Sequence, residues 1–183
     1  MKNEGKIRAI GVSNFTPAQI QTAIDVADIA CIQPPLSLLD RRSLEDGVIA
    51  LCTDKGVGVL TYGSIGGGIL ADKVDALPIA GNELRAAFYG YYAEPMLSKC
   101  RELVAFLQKI ADNRGVHVVE VAINWVLAQR GETSALIGAT TPEKAINNSK
   151  AADWELTNEV LISINAEYAR IMKNGSTERL QEQ

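Results

Sequence analysis

Four times along this chain a short apolar run gives way to a segment with helical spacing, and this alternation limits the fold more than any other property of the sequence. The first run, Ile7 to Val12, closes on Ser13-Asn14-Phe15. Thr16-Pro17-Ala18-Gln19 then supplies a hydroxyl at the N-cap, proline at N1 and glutamine at N3, so strand turns to helix within two residues. Ile20, Ile24 and Ala27 share one face of a helix expected near 16–27. A strand at 30–33 follows, then a helix near 43–55 with Leu44, Val48 and Leu51 on one face and Gly56 as its stop. The strand at 57–62 is apolar enough to be covered on both sides. Helices are expected near 97–113 and 118–130, the second apolar nearly all round. A strand at 135–138, a helix opened by Thr141-Pro142-Glu143 and a last helix from Thr157 complete the pattern. No linker composition interrupts it, so residues 1–183 read as a single domain of the parallel α/β class.

Two places in this pattern stand out. Ser13 and Asn14 fall at the carboxyl end of a parallel strand, where such sheets put their ligands; a polar pair there either satisfies the turn or meets a ligand. The long segment at about 63–96 exceeds an ordinary connection and is expected to be a lid or a binding loop.

Composition excludes several classes. With 47% hydrophobic and 22% charged residues the chain can build a core and is not of the disordered type. A net charge of −4 and a pI near 5.1 give no support to nucleic-acid or anionic-membrane binding. Met1 to Lys6 has no apolar segment of the secretory kind, and no apolar run approaches a membrane span, so a cytoplasmic location is expected. Cys31, Cys52 and Cys100 are odd in number and widely spaced, which indicates neither a disulfide framework nor a zinc site, and no metal is expected.

Four strings, in order and covering nearly the whole chain, resemble one family. Ile10-Gly11-Val12-Ser13-Asn14-Phe15 resembles the fifth strand and following turn of the aldo-keto reductases, which are NAD(P)H-dependent (β/α)8 barrels. Cys31-Ile32-Gln33 resembles the sixth strand with its glutamine, and Gln33 to Arg41 is similar to the run that follows it. Leu60-Thr61-Tyr62-Gly63-Ser64-Ile65-Gly66-Gly67-Gly68 resembles the seventh strand and the loop over the cofactor pyrophosphate. Ile137-Gly138-Ala139-Thr140-Thr141-Pro142-Glu143, continuing to Asn148, resembles the eighth strand and its helix. The resemblance implies a partial (β/α)8 TIM barrel, made of the last four βα units plus a C-terminal helix.

It also implies residue roles. Ser13, Asn14 and Gln33 match positions that hydrogen-bond the nicotinamide carboxamide, and Tyr62 matches the aromatic that stacks on the nicotinamide ring. Gly63, Ser64, Gly66, Gly67 and Gly68 match the pyrophosphate loop, where missing side chains let backbone approach an anion. Gly66 to Ala71 also fits G-x-G-x-x-A by letter, but no helix is evident directly after it and Glu83 ends no strand, so a Rossmann site is rejected. Lys144 and Asn148 match the adenosine end. Thr140 stands where many members carry arginine; a lone lysine binds phosphate as a point charge, which leaves NADP(H) only modestly ahead of NAD(H) and binding weak. Pro35 replaces an aromatic common near that place, so the substrate class is not legible.

The family's catalytic Asp, Tyr, Lys and His lie on its first four strands, and this chain begins at the approach to the fifth. At 183 residues it is also shorter than the roughly 200 to 400 of a full barrel. No residue here inherits a catalytic role: Tyr62 matches the stacking position, and the only histidine, His117, sits in a helix-to-helix connection suited to capping or the surface. The expectation is an oxidoreductase represented by its cofactor-binding half, inactive alone. Its partners would be a nicotinamide dinucleotide and either a second copy or a chain supplying the other half barrel. The alternatives are a non-catalytic nucleotide-binding or regulatory module, and a ligand-free remnant.

Overall fold

The computed structural model describes residues 1–71, 89–131 and 134–173. Their contacts separate them into two units: the first holds residues 1–64 and 126–137, the second the described parts of 65–125 and 138–183.

The first unit is a four-stranded parallel sheet, β1 (Ile10–Ser13), β2 (Ile29–Gln33), β3 (Gly58–Thr61) and β4 (Ser134–Ala135), ordered β1-β2-β3-β4. The order follows the chain without the reversal that defines a doubly wound sheet. Helix α1 (Pro17–Val26) joins β1 to β2 and begins in the capping box expected from the sequence: Gln19 N donates to Thr16 Oγ1 at 3.4 Å and Thr16 N to Gln19 Oε1 at 2.9 Å. Ile20 of this helix is fully buried. Ile32 and Val59, neighbours in register on β2 and β3, are also fully buried.

The helix expected at 43–55 is two helices, α2 (Arg42–Glu45) and α3 (Val48–Lys55). Gly47 separates them at φ +82°, and the Asp46 carboxylate accepts the Val48 N–H at 3.0 Å, which starts α3 afresh. The break rotates the buried face to Val48, Ile49 and Cys52, while Leu44 and Leu51 are only half-buried. Gly56 ends α3 as expected, left-handed at φ +69° with its N–H on the Cys52 and Thr53 carbonyls.

The helices α4 (Met96–Arg114), α5 (Val118–Leu127), α6 (Pro142–Ser149) and α7 (Asn158–Lys173) occupy the helical stretches read from the sequence, and all but the last two residues of α5 belong to the second unit. Helix α4 buries Leu97, Cys100, Leu103, Val104, Leu107 and Ala111 along one stripe and ends at left-handed Gly115. Lys99 Nζ donates to the Met172 carbonyl at 2.9 Å, tying α4 to α7. Helix α5 is buried at Val118, Val121, Ala122, Ile123 and Trp125, as its all-round apolar sequence predicts. His117 lies exposed just before α5, where its N–H meets Glu120 Oε1 at 3.1 Å. Of the long segment at 63–96, residues 72–88 lie outside the described residues; the rest includes short 3-10 turns at Gly66–Gly68 and Gly90–Tyr92. No helix of the described residues is long and apolar enough to cross a membrane.

Candidate functional site

In the first unit, the carboxyl ends of β1, β2 and β3 bring four of the singled-out residues together. Ser13 and Gln33 are register partners. The Gln33 carbonyl receives two donors, Ser13 Oγ at 2.8 Å and the Asn14 N–H at 3.4 Å. Asn14 turns the chain out of the strand at φ +57°, a left-handed conformation that asparagine tolerates better than most L-residues. Its Oδ1 accepts the Tyr62 hydroxyl at 3.0 Å, across 48 residues of sequence. Tyr62 is fixed in turn by its backbone, with its N–H on the Pro34 carbonyl at 3.1 Å and its carbonyl receiving the Leu36 N–H at 3.0 Å.

The remaining hydrogen-bonding capacity of this cluster faces outward. Ser13, Asn14 and Gln33 are exposed and Tyr62 is half-buried. Among the described residues, the Asn14 Nδ2 and the Gln33 side-chain amide have no partner. Two carboxamides and a tyrosine ring at the mouth of parallel strands suit a flat ligand with its own amide, since each side-chain amide offers two donors and an acceptor. Ser64 adds a different signal. It is 1% exposed, and its hydroxyl has no partner among the described residues. A buried hydroxyl without a partner is uncommon and calls for a water or ligand oxygen.

The loop from Pro35 to Ser43, which leaves this end of β2, is stitched by groups that sequence reading passed over. Ser43 Oγ donates to the Pro35 carbonyl at 2.7 Å, and Ser37 Oγ accepts the N–H groups of Leu39 and Asp40. Arg42 forks onto the Asp40 carboxylate at 2.9 and 2.7 Å and holds its pKa below the usual aspartate range. Serines at such offsets are signals of local turns, and only the Pro35 bond required the fold to reveal it.

In the second unit, Gly66, Gly67 and Gly68 carry φ values of +57°, +66° and +104°, a run open to glycine and closed to bulky residues. Gly68, Ile69, Leu70 and Ala71 spend their N–H groups inside the turn. The donors left for an anion are the N–H groups of Gly66 and Gly67 among the described residues. Tyr89 lies against Gly67 so closely that a Cβ would stand 2.7 Å from its ring, and the Tyr92 hydroxyl donates to the Gly67 carbonyl at 2.9 Å. The absence of a side chain at 67 is thus explained by packing as well as by backbone angle.

Helix α6 places Lys144 and Asn148 one turn apart on one side. Thr141 caps the helix, accepting the Lys144 N–H at 3.2 Å, and Pro142 stands at N1 as the sequence implies. Lys144 Nζ reaches Thr140 Oγ1 at 3.3 Å and is exposed, whereas Asn148 is half-buried. Among the described residues no cluster of His, Cys, Asp or Glu could hold a metal ion.

Comparison with known proteins agrees with the alternation and the parallel α/β sheet. Residues 1–168 match the Aldo/keto reductase family. The chain is 36% identical over 163 residues to the aldo-keto reductase YhdN of Bacillus subtilis, covering 88% of this chain and 49% of that protein. It is 31% identical to the NADH-specific methylglyoxal reductase of Escherichia coli, covering 86% and 47%. Among solved structures, the glycerol dehydrogenase AKR11B4 of Gluconobacter oxydans superposes with a TM-score of 0.84 at 32% identity, over 92% of this chain and 51% of that one. The chain therefore spans about half the length of the curated relatives it matches, and over that span it belongs to the aldo/keto reductase family.

Proposed function

We propose that this chain is the nicotinamide-cofactor-binding half of an aldo-keto reductase barrel, and that the 183 residues alone do not interconvert carbonyls and alcohols. The observation that carries this reading is the strand-end network of Ser13, Asn14, Gln33 and Tyr62, whose outward amides are unengaged among the described residues. A bound nicotinamide dinucleotide would supply or accept the hydride; the residues of this chain bind and orient it. Asn14 Nδ2 and the Gln33 amide read the carboxamide, which decides the ring face presented to substrate. Tyr62 offers its ring as an offset stacking surface, contributing about 0.5 to 1.5 kcal/mol beyond area burial. The Ser64 hydroxyl and the Gly66 and Gly67 N–H groups hold phosphate oxygens, and Lys144 with Asn148 holds the adenosine end.

NADP(H) is favoured over NAD(H) only modestly. Lys144 is exposed and already shares its ammonium with Thr140 Oγ1, and an exposed ion pair is worth about 0 to 1 kcal/mol. The relative named for NADH specificity is consistent with a family in which this choice varies. Inactivity follows from the chemistry: none of the matched positions supplies a proton donor to the carbonyl oxygen, and general acid-base help alone is worth about 10² to 10⁴ in rate.

Calorimetric titration of the wild type, Gln33→Ala and Lys144→Ala with NADPH and NADH tests the reading. Weak binding of both nucleotides is expected, reduced by Gln33→Ala for both and by Lys144→Ala for NADPH alone. No binding of either nucleotide would leave the chain as a ligand-free remnant. Steady NADPH oxidation with an aromatic aldehyde, abolished by a substitution in this chain, would refute the inactivity.

A further inference from the structure

Asn124 is 3% exposed on α5, among Ile123, Trp125 and Val121, a place where a polar side chain is unfavourable unless every hydrogen-bonding group is matched. Here it is matched by backbone. Nδ2 donates to the Ala151 carbonyl at 2.9 Å and to the Trp154 carbonyl, and Oδ1 accepts the Leu156 N–H at 2.9 Å. Three main-chain groups of the segment directly after α6 are thus held by one side chain. One turn earlier on α5, Glu120, also 3% exposed, accepts the Trp154 Nε1–H at 3.4 Å. The Arg114 guanidinium at the end of α4 lies 4.2 Å from the centroid of the same Trp154 ring.

Helix α6 itself has no such anchorage. None of its residues is buried, so packing of its own side chains does not fix its position. Its C-terminal end runs through the 3-10 turn Lys150–Asp153 straight into the segment that Asn124 grips. Asn148 lies three residues before Ala151, and Lys144 one turn before Asn148.

We infer that Asn124 is a positioning residue for the adenosine end of the cofactor: it touches no nucleotide, but it holds α6 so that Lys144 and Asn148 stand ready for the adenosine and its 2′-phosphate. The inference rests on the cofactor reading above and adds to it a residue remote from the ligand. It also accounts for an amide where an aliphatic side chain would leave two carbonyls and one N–H unmatched.

The test compares wild type, Asn124→Asp and Asn124→Ala. Asp keeps the acceptor for Leu156 N–H but sets a buried carboxyl oxygen against the Ala151 and Trp154 carbonyls, so it is the harsher change. Ala leaves those carbonyls unmatched without adding that repulsion. The exchange and affinity measurements are made on both variants, and the protection of α4 and α7 shows that each is folded. Hydrogen exchange is measured without ligand. In Asn124→Asp, amides of α6 and of residues 150–156 are expected to exchange faster while those of α4 and α7 keep their protection. Affinities for 2′,5′-ADP and for nicotinamide mononucleotide are then measured separately. Binding of 2′,5′-ADP is expected to fall about 2- to 30-fold, the range of couplings carried through residues that touch no ligand, while the mononucleotide is unaffected. In a Lys144→Ala background the Asn124→Asp effect on 2′,5′-ADP should shrink, because the part of it carried through Lys144 is already gone. Unchanged exchange in α6 overturns the inference. So does an equal loss for both half-ligands, or a full additive loss in the Lys144→Ala background. If the wild type binds neither half-ligand, the cofactor reading fails and this role of Asn124 fails with it, whereas wild-type binding that Asn124→Asp leaves intact overturns the positioning role alone.

Discussion

Asn14 joins a backbone requirement to a side-chain contact, and a small substitution series separates the two. Its φ of +57° lies where an L-residue loses about 1 to 2 kcal/mol relative to the right-handed form, a penalty that asparagine partly escapes and glycine does not suffer. Its Oδ1 also accepts the Tyr62 hydroxyl, an exposed bond worth about 0.5 to 1.5 kcal/mol and nearer the lower figure. Asn14→Ala forfeits both, for a loss of about 1 to 2.5 kcal/mol. At roughly 2 to 4 °C per kcal/mol for a chain of this size, Tm should drop by about 2 to 10 °C. Asn14→Gly frees the backbone and loses only the contact, so it should fall between alanine and the wild type. Asn14→Asp keeps both the acceptor and the tolerance for the left-handed region, and should melt close to the wild type. Urea titrations with tryptophan fluorescence report the order. Alanine as stable as glycine would refute the left-handed backbone, and aspartate as unstable as alanine would refute the Tyr62 bond. Nucleotide affinity should not follow that order, because Asp lacks the Nδ2 donor proposed to read the carboxamide. A stable Asn14→Asp that binds like the wild type would remove Asn14 from the recognition set.

Other expectations are as direct. Gly131→Ala would set a Cβ 2.0 Å from Thr53 Oγ1 and 3.0 Å from Ile49 Cγ2 at φ +91°, so a loss of about 2 to 4 kcal/mol is expected, partly relieved by Thr53→Ala; equal losses in both backgrounds would sink this account. Burial pushes the Cys100 thiol up to about 12 and also raises Cys52, while Cys31 is half-buried, so a thiol reagent at neutral pH should label one cysteine quickly and Cys31→Ser should abolish that phase. The Arg42 fork depresses the folded-state pKa of Asp40, so its contribution to stability is present above the ordinary aspartate range and is lost as pH falls through the lowered value; Asp40→Asn should flatten that acid limb, and an unchanged limb would refute it. The edge strands β1 and β4 each have one neighbour among the described residues, so the 183-residue chain studied alone should self-associate, β1 of one copy against β4 of another, or be marginally stable. A sharp monomer in light scattering that melts cooperatively above about 55 °C would count against it.

What the sequence disclosed, and what it concealed, follows the range of the forces involved. Thr16, Pro17, Gln19, Gly56, Thr141 and Pro142 act within a few residues, and the helix ends they predict are where the structure has them. The break at Gly47 was hidden because Leu44, Val48 and Leu51 keep helical spacing across it, while the decisive contact is the Asp46 carboxylate on Val48 N–H. The strand-end residues were readable by type and by family resemblance. Their mutual bonds were not, since Tyr62 meets Asn14 across 48 residues. Asn124 left a signal, a lone amide in an apolar helix, but its partners lie 27 to 32 residues onward and no local rule names them.

The double use of the Gln33 carbonyl has a consequence for folding. Side chains on a strand alternate faces, so a one-residue slip of β1 along β2 would turn Ser13 to the opposite face and withdraw its hydroxyl from that carbonyl. Ser13 and the Asn14 N–H therefore work as a detent, a notch that the edge strand must find before the pair is complete. The same Gln33 carbonyl that closes the strand-end cluster also reports the strand alignment, so a change at Ser13 that loosens the cluster would loosen the register with it.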